Sequence, residues 1–117
     1  MSLQAWLANG WLTAHQPTRQ EIADLLAVVD RDLADAQTAG LSTDWRFSIA
    51  YNAALQAATT ALAASGFRAA REAHHYLVIQ SLHFTIGWDA QRVRTFNEFR
   101  KKRNVGGLRT RGDDHRP

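Results

Sequence analysis

The sequence predicts an all-α protein, an up-and-down four-helix bundle with a short extra helix at its N-terminus. Three observations carry this. Apolar residues recur at helical spacing through three long segments and a fourth after a short turn. Capping residues open these segments and small residues with glycine close them. Nothing between them alternates with the period of a strand. A chain of 117 residues makes one domain with a real core. The bundle is expected to occupy residues 1–107, with 108–117 a flexible basic tail.

Ser2 can cap a short helix carrying Leu3, Trp6 and Leu7, which Asn9-Gly10 weakens. After Pro17, Thr18 and Glu21 form a capping box for a helix whose stripe is Ile22, Leu25, Leu26, Val29, Leu33 and Ala36. Its acids are expected on the solvated face, and Ala39-Gly40 closes it. The next helix starts near Ser42-Thr43-Asp44, carries Phe47, Tyr51, Leu55, Ala58 and Leu62, and ends at Ser65-Gly66. Its many alanines suit close packing on more than one side. A third helix is expected from Phe67 or Arg68 to Ile86, and a fourth from the Asp89 cap to Gly106-Gly107.

Composition excludes several chemistries. The chain has no Cys, so disulfides, thiol nucleophiles and cysteine zinc sites are absent, and a cytoplasmic address fits. No apolar run approaches the ~20 residues that span a bilayer, so no membrane partner is expected. His75 and His83 stand eight residues apart, ~12 Å along a helix, too far to share an ion. No metal and no other cofactor is expected. Charge is divided unevenly: three arginines against six acids in residues 1–66, eleven bases against five acids in 67–117. Six bases and no acid fall between Arg100 and Arg111, which suits an anionic partner.

The stretch from Phe96 to Asn104, FNEFRKKRN, is the most informative. On a helical wheel, Val93, Phe96 and Phe99 form a stripe, and Arg100 and Arg103 fall among them. Lys101 and Lys102 fall opposite. Guanidiniums on the protein-facing side either snorkel from the last turn or line a site for phosphate or carboxylate.

Two long antiparallel helices, the segment AYNAALQAA (Ala50 to Ala58), a His-containing third helix and the closing FNEFRKKRN together resemble the HEPN superfamily. Its members are small prokaryotic helical bundles, often paired with minimal nucleotidyltransferases in toxin–antitoxin or defence systems. The resemblance covers roughly residues 18–108. It implies a homodimer, with Arg103 of both copies bordering one cleft, and a nucleotidyltransferase, RNA or nucleotide partner. Active members follow an Arg and a polar residue, four to six residues on, with a His, and cut RNA without metal. Arg103-Asn104 matches the first half, but Leu108, Arg109 and Thr110 stand where the His belongs. Arg109 and His115 have a permitted spacing within the tail. The resemblance therefore implies binding without catalysis through Arg100, Lys101, Lys102, Arg103, Asn104 and Arg109. A ribonuclease using Arg103 with His83 or His115 is the alternative, and an interaction bundle with no nucleic-acid role the third.

Overall fold

A computed structural model describes residues 2–71 and 74–115; side chains from position 104 onward lie outside the described residues. The chain is mostly helical, with five helices and one two-stranded ribbon among the described residues: α1 (Leu3–Ala8), β1 (Leu12–Ala14), α2 (Arg19–Ala36), α3 (Thr43–Ala64), β2 (Phe67–Ala69), α4 (His74–Thr85) and α5 (Ala90–His115).

Local chemistry sets the boundaries. Ser2 accepts from the Ala5 N–H, Thr18 from Glu21, Ser42 from Trp45 and Asp89 from Arg92, so each satisfies a donor that the first turn leaves free. The Thr18–Glu21 capping box closes on one side only. The Glu21 carboxylate instead meets His15 Nε2 at 2.7 Å, which ties the preceding loop to α2. Gly66 stops α3 with φ of 98°, in the left-handed region, whereas α2 ends before the expected Ala39-Gly40, at Ala36 with Gln37 as its cap.

The ribbon corrects the expectation of a purely helical chain. Leu12, Thr13 and Ala14 pair antiparallel with Ala69, Arg68 and Phe67. Three residues are too few to show a period, and the partner is more than fifty positions away. The ladder uses Phe67–Ala69, so α4 begins at His74 instead of Phe67 or Arg68. It also seats Leu12, Phe67 and Ala69 in the core. At the other end, α5 runs through Gly106-Gly107 to His115, past the expected stop. A glycine costs a helix about 1 kcal/mol against alanine without forbidding it. The expected flexibility of 108–117 concerns side chains outside the described residues.

The core is built by α3, α4, the ribbon and α1, with Val93 and Phe96 of α5. Tyr51, Leu55, Ala58 and Leu62 of α3 face Leu77, Val78, Ile79 and Leu82 of α4. Phe47 meets Phe99 and Tyr51 meets Phe96 edge-on, at 5.9 and 5.8 Å, so α3 and α5 run antiparallel, where the expected up-and-down order would make them parallel. The helix α2 packs chiefly on α3, outside that core. Of its expected stripe only Ala36 is buried, and Leu26 and Leu33 are each 47% exposed. One of its acids is buried instead. Asp32 accepts from Asn52 of α3 at 2.7 Å and from the neighbouring Arg31 at 3.1 Å.

Candidate phosphate-binding site

The antiparallel course of α4 and α5 brings the start of α4 beside the fourth turn of α5. Residues far apart in sequence meet there: Tyr51 from α3, His75 and Tyr76 from α4, Arg100 and Arg103 from α5. Arg100 and Arg103 fall on the protein-facing side of the α5 wheel, and both are half-buried. Neither enters the core as a bare charge. The Arg100 guanidinium lies 5.7 Å from the centre of the Tyr76 ring, and that of Arg103 lies 5.3 Å from the centre of the Tyr51 ring. A guanidinium over a π face is stabilised by the ring's negative potential while its N–H edge remains free to bond. Asn97 Oδ1 holds Arg100 Nε at 2.8 Å and fixes the side chain against α5.

The lysines behave differently. Lys101 points outward and pairs with Glu98 at 3.5 Å, a well-exposed bridge. Lys102 projects over the Phe47 ring at 5.4 Å, toward the groove between α3 and α5. The stretch Arg100–Arg103 thus divides into two inward, tyrosine-backed cations and two outward ones. Asn104, Arg109 and His115 lie outside the described side chains.

Two titrating groups respond to this cluster. Burial raises the Tyr51 phenol above its usual 10, against the opposing pull of Arg100 and Arg103. Among the described residues the buried Tyr51 hydroxyl has no hydrogen-bond partner. His75 is lowered from 6.5, first by desolvation, then by His74, Arg103 and Arg100. It is therefore neutral at pH 7. The two guanidiniums beside it would be relieved by an anion.

The sequence pointed to His83 and passed over His75. His83 is exposed, and its Nδ1–H donates to the Trp88 carbonyl at 2.9 Å. It borders a cleft of about 310 Å³ with Trp6 and Phe84, at the opposite end of α4 from Arg100. Seven residues separate it from Tyr76, roughly 10 Å along the helix. A signal for His75 was present, a histidine in the turn that carries Tyr76, but its value depends on where α5 returns. No three potential metal ligands gather among the described residues. No helix among them is long and apolar enough to cross a membrane.

No protein-family model, curated protein or solved structure matches the chain.

Proposed function

We propose that this chain is a HEPN-like helical module that holds a phosphate-bearing partner, RNA or a nucleotide, on Arg100 and Arg103. The observation that supports it is their setting: both rest on tyrosine rings, and among the described residues no carboxylate lies within 4.0 Å of either. A planar fork so held keeps its terminal N–H groups for two oxygens of one phosphate. A neighbouring nucleotidyltransferase, and a place in a toxin–antitoxin or defence pair, belong to the same reading.

Fluorescence anisotropy with a short single-stranded RNA tests it. The Arg100→Gln/Arg103→Gln variant should bind at least about tenfold more weakly than the wild type at fixed salt. Lys101→Gln, already paired outward, should change little. Equal losses in both variants would mean diffuse attraction to a basic surface and would refute the site.

A second reading, a metal-independent ribonuclease, is favoured by one observation: His75 is kept neutral beside two arginines. A neutral imidazole can take the proton of a 2′-hydroxyl while a guanidinium holds the developing phosphorane charge. His75 then takes the role assigned to His83 or His115. RNA cleavage in chelator, lost in both His75→Ala and Arg103→Ala, identifies the enzyme; binding without cleavage leaves the module.

A further inference from the structure

The cleft of about 310 Å³ that His83 borders lies where α4 hands over to α5. Its walls follow from helical spacing. Gln80, His83 and Phe84 stand at i, i+3 and i+4 on α4, so they share one face. Ala90 and Arg94 stand at i and i+4 on the first turns of α5. Gly87, with φ of 72°, reverses the chain between the two helices. Trp6 of α1 completes the wall, edge to face with Phe84 at 5.3 Å.

The lining is of two kinds. Trp6, Phe84 and Ala90 are apolar, and the two aromatic planes meet at 84°, which makes a corner for a flat ring. Gln80, His83 and Arg94 are polar. The bond from His83 Nδ1–H to the Trp88 carbonyl fixes that imidazole and leaves its Nε2 uncommitted. Arg94 is exposed and has no carboxylate within 4.0 Å among the described residues. No acid lines the cleft among them. The Trp6 ring is 7% exposed, and its buried Nε1–H has no partner among the described residues. A buried donor left unpaired carries a cost that an acceptor arriving beside it removes.

Charge and size narrow the guest. Aromatic walls also suit a quaternary ammonium, but the Arg94 guanidinium repels it and no carboxylate offsets that. One guanidinium matches one anionic group and leaves a polyphosphate largely unpaired. A dry cavity of about 150 Å³ holds a benzene ring, so this cleft, about twice as large, takes a fused two-ring body. We infer that the cleft binds a planar aromatic monocarboxylate, its rings against Trp6 and Phe84 and its carboxylate on Arg94 and the Gln80 amide. The site lies at the opposite end of α4 from Arg100 and does not depend on what the arginine–tyrosine cluster binds.

Titration of the full chain with 2-naphthoate, followed by two-dimensional NMR, tests it, and saturation with a Kd under about 1 mM is expected. The Trp6 indole N–H signal should move, while that of Trp45, 66% exposed on α3, stays. Arg94→Gln should weaken binding at least about tenfold. Arg92→Gln, which borders the groove toward α3 instead, should change it less than about twofold. The matching carboxamide, of the same shape without the charge, should bind the wild type at least about tenfold more weakly and lose nothing further in Arg94→Gln. Ala90→Phe, at an exposed position, fills the cleft and should abolish binding with the thermal melt unchanged. No saturation up to about 5 mM would overturn the inference. So would equal affinity for acid and amide, or equal losses in Arg92→Gln and Arg94→Gln. Saturable shifts at Arg100 and Arg103 with a still Trp6 signal would overturn it too.

Discussion

Replacing Asn52 with Ala should loosen α2 from α3 more than any surface change of its size. Asp32 is 6% exposed, and its two oxygens have separate partners: Oδ1 takes Arg31, Oδ2 takes Asn52. Arg31 lies on α2 itself, whereas Asn52 is the interhelical half of the arrangement. Removing its amide leaves a buried carboxylate oxygen without a donor. A hydrogen bond to a charged group contributes about 1.5–3 kcal/mol, and the orphaned oxygen pushes the cost to the upper part of that range. The cavity adds little, because Asn52 is only half-buried. The expected loss is about 2–3 kcal/mol, or roughly 10 °C in Tm for a domain of this size. By contrast, cutting the exposed Lys101–Glu98 bridge should cost less than about 0.5 kcal/mol. The double variant Asp32→Leu/Asn52→Leu should recover most of the loss, since an apolar pair there needs no donors. Urea denaturation of all four proteins gives the comparison. A loss under about 0.5 kcal/mol for Asn52→Ala, or a double variant no better than the single one, would refute the reasoning.

Two further outcomes follow from the tyrosine–arginine cluster. His75 should titrate below 6.5 by NMR, partly recover in Arg103→Ala, and rise when inorganic phosphate binds. Because its folded pKa is depressed, the stability it contributes is present above pH 6.5 and lost as pH falls toward the folded value. Tyr51→Phe removes a buried hydroxyl without a described partner and keeps the ring under Arg103. It should leave RNA affinity unchanged and stability equal or higher by up to about 1 kcal/mol. In the wild type, the raised Tyr51 pKa contributes stability that is present below pH 10 and lost as pH rises through the folded value. Following phenolate absorbance during alkaline titration should show one late-titrating tyrosine, absent from the variant.

Much of the helical outline was legible because its signals are local. Thr18, Ser42 and Asp89 announce their helices by side chains that reach only three residues. The inward side of α5 was legible too, because Val93, Phe96, Arg100 and Arg103 share one period. The ribbon was not. Leu12 and Ala69 gain their pairing only when the fold brings them together, and three residues carry no pattern. The α2 stripe was read as core because periodicity says which side of a helix is apolar, not how many neighbours cover it. Leu26 and Leu33 are the result. The burial of Asp32 depends in the same way on Asn52, twenty positions away. At the candidate site the arginines stood out by their place on the apolar side of the α5 wheel. Tyr51, His75 and Tyr76 did not, because their part depends on the antiparallel return of α5.

On the proposed function, Arg100 and Arg103 each grip a phosphate. The slope of log affinity against log salt tests it most directly, because each lost phosphate contact on single-stranded RNA removes about 0.7 from that slope. Arg103→Gln should flatten the slope by about 0.7 and the double variant by about 1.4, with Lys101→Gln matching the wild type. An unchanged slope in the double variant would contradict the claim.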